Sequence, residues 1–336
     1  MTIEVKFVPS NRRFELQGND TILEAALRAG LSPNYGCSNG NCGRCLAKVV
    51  NGSTARVRHH DYVPTAAEKA AGVVLMCAYT AHSDLQLEVL EADSPDDIPV
   101  QDIPARCKKK HHPTDDIAVV RVQTPRTQRL RFLSGQRVVL SLRGGIQGEY
   151  PIASCPCDDR NLEFHVHRGD NNAASRHIHS RLSPGDHLHV HGPTGGLSWH
   201  TPNAQPVVFV SCDVGFAAIK SLIEYAINIE WEGPMTLLCF GAPGAAHYMD
   251  NLARSWNDVL DNFSYRSSLL TVDPRHACEK LDEELRSSVH SELLADADLH
   301  HADVYISAPG PTACALQTQF LTHGIEATRL WTDICS

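Results

Sequence analysis

Three cysteines in the stretch YGCSNGNCGRC, Cys37, Cys42 and Cys45, stand at C-x4-C-x2-C spacing, and a fourth, Cys77, follows in LMCAYT. This is the plant-type ligand spacing for a 2Fe-2S cluster, with three thiolates on one loop and the last supplied by a separate strand. No other feature constrains the fold so strongly, because loop and strand must be held at a fixed separation. The loop is otherwise small or polar, with Gly36, Ser38, Gly40 and Gly43, so its backbone can wrap closely and aim amides at the cluster sulfurs. The competing assignments are a zinc site and a disulfide pair. Zinc usually takes its cysteines as two C-x2-C knuckles, and an intracellular chain seldom keeps disulfides, so the spacing favours iron and sulfide.

With 336 residues, 42% hydrophobic and 21% charged, the chain has the length and composition of two or three soluble globular domains. A formal charge of -9 and no concentrated basic face argue against nucleic acid as a partner. The basic run Lys108 to His112 reads as a solvated turn. The N-terminus, MTIEVKFVPS, has a strand pattern without the apolar core of a signal peptide. No apolar run reaches the roughly 18 residues of a membrane span. A cytoplasmic location is therefore expected, and there the eight cysteines outside the cluster set read as free thiols. Cys155 and Cys157, in ASCPCD, form a C-x-C pair with the potential to bind metal or act in redox chemistry; the unremarkable reading is favoured.

Residues 1–92 form one small unit. Ile3, Val5 and Phe7 alternate with polar residues, and Phe14 and Leu16 repeat the pattern, which gives a hairpin. Thr21 with Glu24 is a capping-box spacing, and Gly30 ends the helix that follows. Leu46 to Val50 makes a strand turned by Asn51-Gly52, and Leu85, Leu87 and Val89 make another. The acidic, proline-bearing stretch after Glu91 reads as a linker over 93–104. Residues 105–200 show short strands punctuated by turns (117–122, 136–142, 161–166 and 186–190), as in an antiparallel barrel. From 201 to 336 the texture changes to continuous apolar strands, 206–211, 236–241 and 303–308, separated by helical stretches such as 216–229 and 279–294. Alternating strand and helix argues a doubly wound parallel sheet.

The N-terminal unit resembles the plant-type ferredoxin domain, an α+β fold of the β-grasp kind. The whole chain resembles the ferredoxin-NAD(P) reductase superfamily in the form that carries an N-terminal ferredoxin. Its members include reductase components of multicomponent oxygenases and the CDP-6-deoxyglucoseen reductases. The resemblance rests on the four cysteines, on TPRTQRLRFLSGQRVVLSL (124–142), on SPGDHLHVHGPTGG (183–196) and on the run of the sheet. It implies a multidomain protein: ferredoxin, antiparallel flavin-binding β-barrel, and α/β nucleotide-binding domain. It further implies 2Fe-2S, FAD and NAD(P)H as its redox groups.

The family motif for FAD, Arg-x-Tyr-Ser, falls on GEYPIAS. Tyr150 is retained for the flavin, with Ile152 and Ala153 beyond it, whereas Gly148 stands for the arginine and Pro151 for the serine. The lost arginine contact is worth about 1.5–3 kcal/mol, and Pro151 has no N–H to donate. The resemblance places compensating contacts at Arg168 after the strand with His165, Val166 and His167, and at Ser175 to Ile178 before a helix. A partly protonated His165 or His167 is a candidate substitute for the arginine. The family's glycine-rich nucleotide loop becomes Cys212, Asp213, Val214 and Gly215, which sets a carboxylate near the expected pyrophosphate. Gly241 ends the second strand of the sheet. Ser307 replaces the cysteine that the family places by the nicotinamide.

By this resemblance a hydride passes to flavin beside Tyr150 and Ser307, single electrons pass to the cluster, and the cluster reduces an acceptor redox protein such as an oxygenase component. Trp331 reads as a packing residue of the last strand. Spacing by two puts His187, His189 and His191 on one strand face, where a solvated surface is favoured over a metal site. Two other functions stay open: an electron-transfer subunit that does not oxidise NAD(P)H, and a redox-sensing partner. The acceptor, the choice of nucleotide and the oligomeric state leave no readable mark.

Overall fold

The computed structural model describes residues 3–92, 94–169, 172–195, 197–201, 204–241, 247–293 and 301–335. In the first unit the strands are β1 (Ile3–Val8), β2 (Arg13–Leu16), β3 (Leu46–Asn51), β4 (Thr54–Arg56), β5 (Val73–Leu75), β6 (Tyr79–Ala81) and β7 (Leu85–Glu88). The helices are α1 (Ile22–Arg28) and α2 (Ala66–Ala70). The main sheet runs β2-β1-β7-β3-β5, with β1 and β7 parallel at its centre. Alternation decides which side faces in: Val5, Phe7, Phe14 and Leu16 are buried against α1, whose Ile22, Leu23, Ala25 and Ala26 complete the core. Both halves of the Thr21/Glu24 capping box form, which fixes where α1 begins.

The second unit is a six-stranded antiparallel sheet curled around one apolar core. Its strands are β8 (Gln101–Thr114), β9 (Ile117–Gln123), β10 (Arg137–Ser141), β11 (Gln147–Pro151), β12 (Asn161–His167) and β13 (His187–Thr194), with α3 (Ala173–Ser180) before β13. The order is β11-β10-β13-β8-β9-β12. Two sequence readings change here. Gln101 to Pro104, assigned to the linker, already pair with Gly192 to His189, because buried Ile103 begins an inward alternation that continues through Ala105 and Cys107. Lys108 to His112, read as a turn, continue the same strand, and the Lys110 ammonium donates to the Ile178 and His179 carbonyls at 3.0 and 3.1 Å.

The third unit has five parallel strands: β14 (Val207–Cys212), β15 (Met235–Gly241), β16 (Phe263–Leu269), β17 (Asp303–Pro309) and β18 (Leu330–Cys335). They are connected by α4 (Phe216–Asn228), α5 (Asp250–Val259), α6 (Glu279–Glu292) and α7 (Gly310–Thr322). The order β16-β15-β14-β17-β18 puts the reversal of strand order between β14 and β17. In such sheets that switch point is where ligands bind. Among the described residues no helix is long and apolar enough to cross a membrane.

Polar contacts fix the three units together. The Tyr225 hydroxyl of α4 donates to the Gly30 carbonyl at 2.8 Å, and Asn228 donates to the Arg28 carbonyl at 2.8 Å. Arg131 of the barrel donates to the Ser32 carbonyl at 2.7 Å. Gly30 has φ +73, and a Cβ there would lie 2.0 Å from Ile229, so glycine is required both by the turn and by the docked helix. Between barrel and sheet, buried Lys220 of α4 reaches Glu163 at 3.3 Å, Glu224 at 2.6 Å and the Ala153 carbonyl at 3.1 Å. Burial alone would raise the Glu163 carboxyl, but His165, Lys220 and Arg121 hold it well below the usual range.

His247 sits in the same seam, packed on Phe216 and Tyr248. Its Nδ1 accepts the Met249 amide at 3.2 Å, which leaves the proton on Nε2, a buried atom without a partner. Burial pushes its pKa down to about 3. A histidine depressed in the fold contributes stability above its unfolded pKa of about 6.5, and that contribution falls as pH drops toward the folded value. Between pH 6.5 and 5 the loss reaches about 2 kcal/mol. His247→Gln, neutral throughout, is therefore expected to flatten the pH dependence of the unfolding free energy, measured by urea denaturation, over this range by about that amount. Parallel pH profiles for the two proteins would contradict the assignment.

Candidate functional site

The cluster loop runs between α1 and β3 and is closed by the residues after β5. Cys37, Cys45 and Cys77 are buried and Cys42 is exposed. The four thiols fall into two pairs: the Cys45 and Cys77 sulfurs lie 3.2 Å apart, and Cys37 is hydrogen-bonded with Cys42. Two adjacent pairs match two irons, one pair for each, rather than one tetrahedral zinc. Among the described residues no three His, Cys, Asp or Glu side chains converge on a single-ion site. The Asn41 and Cys42 amides each donate to Cys37 Sγ at 3.3 Å, and the Arg44 amide to Cys42 Sγ at 3.5 Å. Burial raises the Cys37 thiol, yet the Asn39, Cys42 and Asn41 amides outweigh it and bring its pKa down. Cys77 is drawn to about 7, chiefly by the Cys45 thiol.

Glycine is needed at two places in this loop. Gly40 has φ +84 and Gly43 has φ +74, and a Cβ would meet His60 at 2.4 Å in one case and the Tyr62 ring at 2.3 Å in the other. The segment carrying His60 and Tyr62 thus covers the loop from outside. These donors, the bare backbone and the paired thiols fit a 2Fe-2S cluster. Cys42 and Arg44 face solvent, whereas the residues before Cys37 face the barrel. There the Arg129 amide donates to the Gly36 carbonyl at 3.0 Å. The Arg129 guanidinium binds Asp159 at 2.9 Å, and Tyr35 is buried beside that carboxylate. The cluster therefore has one side on the barrel and one side open.

On the barrel, Tyr150 belongs to the apolar core with Ile152, Val166, Ala174 and Ile178, and its hydroxyl has no partner. A Cβ at Gly148 would lie 2.6 Å from the Ala174 Cβ and 2.7 Å from the Tyr150 hydroxyl. Strand and helix have closed together where the family's arginine side chain would leave the strand. Pro151 and Ala153 are buried beside it. His165, read as a substitute for that arginine, is corrected: it is buried, its Nε2 is 3.1 Å from Glu163 and its Nδ1 is 2.7 Å from the Tyr248 hydroxyl. Burial depresses its pKa, so it is a neutral bridge between domains. His167 is half-buried, 3.0 Å from Arg275 and 3.8 Å from Asp213, and Arg168 is exposed. Ser175 is occupied by the His167 carbonyl and the Gly169 amide. The amides of Ala174 and Ser175 are capped by Asn172, not left open for phosphate. Arg168 and Arg275 thus bring positive charge near the start of α3, with His167 beside Arg275, and the Tyr150 hydroxyl is an unsatisfied polar group beneath. Both fit a flavin held on this face with contacts that differ from the family motif.

At the switch point the C-terminal ends of β14 and β17 bring Asp213 and Ser307 together. Asp213 adopts φ +53, a left-handed conformation that suits glycine and costs other residues about 1 kcal/mol. Burial raises its carboxyl pKa, opposed by His167 and Arg275. Cys212 is wholly buried in the core of the sheet. Gly215 has an ordinary φ, and its requirement is steric: a Cβ would stand 2.0 Å from the Ser307 carbonyl oxygen. The Ser307 hydroxyl donates to Asp333 at 2.9 Å, and Asp333 pairs with Arg137 of the barrel at 2.8 Å. Arg137 is the register partner of Pro151, so this clasp joins the two places between which the resemblance puts the flavin ring. Gly241 ends β15; residues 242–246 of the adjoining GAPGAAHY segment lie outside the described residues. Trp331 stacks between Tyr305 at 4.9 Å and His200 at 5.2 Å. His187, His189 and His191 are exposed along β13.

The structure also adds Arg129, Arg137, Asp159, Lys220, Arg275 and Asp333, each of which reaches at least one partner distant in sequence. One sequence reading is overturned outright. Cys155 and Cys157 are joined as a disulfide, because the short turn around Pro156 brings their Cα atoms to 5.1 Å.

The profile of the 2Fe-2S iron-sulfur cluster binding domain matches residues 5–82, and that of the oxidoreductase FAD-binding domain matches residues 104–199. The chain is 27% identical over 334 residues to a CDP-6-deoxy-L-threo-D-glycero-4-hexulose-3-dehydrase reductase of Yersinia pseudotuberculosis, covering 99% of this chain and 98% of the relative. It is 25% identical to the reductase component of a propane 2-monooxygenase of Gordonia, covering 99% and 96%. A cytochrome P450 reductase of Amycolatopsis shares the fold with a TM-score of 0.61 at 20% identity, over 99% of this chain and 98% of that one. Cluster cradle, antiparallel barrel and parallel sheet follow one another along the matched length, and the chain belongs to the ferredoxin-NAD(P) reductase superfamily in the form with an N-terminal 2Fe-2S ferredoxin domain.

Proposed function

We propose that this chain is an iron-sulfur flavoprotein reductase that takes electrons from NAD(P)H and passes them singly to an acceptor protein, an oxygenase component or a dehydrase like those its relatives serve. The observation that carries the proposal is the two-sided cluster cradle, with Gly36 bonded to the barrel and Cys42 open to solvent. FAD supplies the conversion of a two-electron hydride donor into single electrons for iron. The chain's own residues supply the rest. The Asn41, Cys42 and Arg44 amides stabilise charge on the cluster sulfurs, Arg129 and Asp159 fix the loop on the barrel, and the exposed Cys42 edge leaves a face for the acceptor. At the other end, Tyr150 offers its hydroxyl, Arg168 and Arg275 offer positive charge to phosphates, His167 positions Arg275, and the Ser307 hydroxyl orients Asp333. Free thiols elsewhere in the chain suit a cytoplasmic setting.

A second reading, an electron-transfer subunit that does not oxidise nucleotide, is favoured by the buried carboxylate of Asp213 and the Arg137–Asp333 clasp at the switch point. Anaerobic protein loaded with FAD separates the two. NADH or NADPH is expected to bleach flavin and cluster absorption together; bleaching by dithionite and by neither nucleotide would leave the second reading standing.

Asp213→Gly removes a carboxylate worth on the order of 1–4 kcal/mol against a phosphate at about 4 Å, which is roughly tenfold to a thousandfold in affinity. It also relieves the left-handed strain. Tighter nucleotide binding by calorimetry, with no fall in the unfolding midpoint, is the expected outcome. Unchanged affinity would exclude Asp213 as the element that weakens binding.

A further inference from the structure

The disulfide between Cys155 and Cys157 belongs to neither the cluster nor the nucleotide site, yet it lies where all three domains meet. It caps a short turn, Pro156–Asp158, that packs against α1 of the ferredoxin domain and α4 of the sheet domain. The two sulfurs differ in environment. Cys155 is buried, and its sulfur accepts the Cys157 amide at 3.2 Å. Cys157 is exposed. A cavity of about 550 Å³ is lined by both cysteines, with Lys108, Arg121 and Lys220 matched by Asp158, Glu163 and Glu224, so an incoming reductant reaches the bridge through a polar opening of mixed charge.

We infer that Cys155 and Cys157 form a redox-active dithiol pair, reducible by a dithiol, whose state sets how tightly the cluster loop is held on the barrel. Thiolate attack is directed to the exposed Cys157 sulfur. The S–S bond breaks and Cys155 leaves as thiolate, stabilised by the Cys157 amide, while a mixed disulfide forms on Cys157. The second thiol of the reductant then attacks its own sulfur in that mixed disulfide and releases Cys157. Two electrons pass from the dithiol to the pair, two protons finish on the cysteines, and the reductant ends as a disulfide.

Two hydrogen-bonded routes lead away from the bridge. The Cys155 amide donates to Glu224 at 3.1 Å, and Glu224 is paired with Lys220 in the barrel–sheet seam. Beyond the turn, Asp159 binds Arg129, whose amide donates to Gly36 beside Cys37. Opening the bridge loosens the turn that carries Asp159, and with it the contact between cluster loop and barrel. In a reducing compartment such a pair persists as a disulfide only where it is catalytic or sensing, as a C-x-C bridge at a domain junction would be.

The test uses the full-length holoprotein, anaerobic, equilibrated in buffers of graded reduced-to-oxidised dithiothreitol ratio. After acid quench and alkylation, mass spectrometry counts labels on the peptide holding Cys155 and Cys157. Amide hydrogen exchange of Arg129, whose N–H donates to the Gly36 carbonyl, is followed in the same samples, with cluster absorbance showing that the cluster stays in one oxidation state. The peptide is expected to pass from no label to two in a single step, and exchange at Arg129 to rise severalfold with it. In the Cys155→Ala/Cys157→Ala variant exchange should be independent of the buffer. Two labels at every ratio, no label at every ratio, or exchange at Arg129 that ignores the labelling step would each overturn the inference.

Discussion

The hydrogen bond from the Arg129 amide to the Gly36 carbonyl joins the part of this chain that holds iron to the part that holds flavin. Gly36 immediately precedes the first cluster ligand, so the contact sets where the cluster lies relative to the barrel. It is reinforced from the barrel side by Asp159, a buried carboxylate whose cost of burial is offset by the Arg129 guanidinium. On the ferredoxin side Gly40 and Gly43 take left-handed conformations under His60 and the ring of Tyr62, which cover the same loop from outside. Loop geometry, thiol pairing and domain docking are one construction.

The opposite seam, between barrel and parallel sheet, is built on different chemistry. Buried Lys220, Glu163, His165 and Tyr248, edged by half-buried Glu224 and exposed Arg121, form a polar network in which each charge has a partner. A buried network of this kind contributes less net stability than an apolar contact of equal area, and removing one member leaves another charge stranded. It therefore specifies one mutual arrangement of the two domains. The Arg137–Asp333 pair extends that specification to the switch point, where Ser307 joins it. Positions at which the resemblance expects ligand contacts are occupied here by the protein's own groups: Gly148 by Ala174 and Tyr150, the amides at the start of α3 by Asn172, and Gly215 by the Ser307 backbone.

How much of this was legible in the sequence varies with the range of the physics involved. The cluster ligands were readable because their spacing is a local, covalent constraint. The capping box at Thr21 and Glu24 and the alternation in β1 and β2 were readable for the same reason. The start of β8 was hidden: prolines and acidic residues mark a linker by composition, yet Ile98 and Ile103 are buried, and the inward alternation from Ile103 was the signal available. The Lys108–His112 run misled because charge suggests a turn, whereas one exposed strand face accommodates it. His165 looked like a ligand-facing cation because strand position fixes which face a side chain takes, not what covers it; Tyr248, far along the chain, covers it. Arg137 and Asp333 had no local signature at all, since their meeting depends on the packing of two complete domains. The C-x-C pair was visible, but only the turn at Pro156 reveals that its sulfurs meet.

The central claim is that two pairs of thiolates, Cys37 with Cys42 and Cys45 with Cys77, enclose two irons at the end of an electron path through the barrel. Anaerobically purified protein assayed for iron, acid-labile sulfide and zinc, together with spin counting by electron paramagnetic resonance after one-electron reduction, tests it most directly. The account predicts equal iron and sulfide, about two of each per chain, and one unpaired spin per chain on reduction. Zinc in place of iron, or a chain with no sulfide and no spin signal, would contradict it.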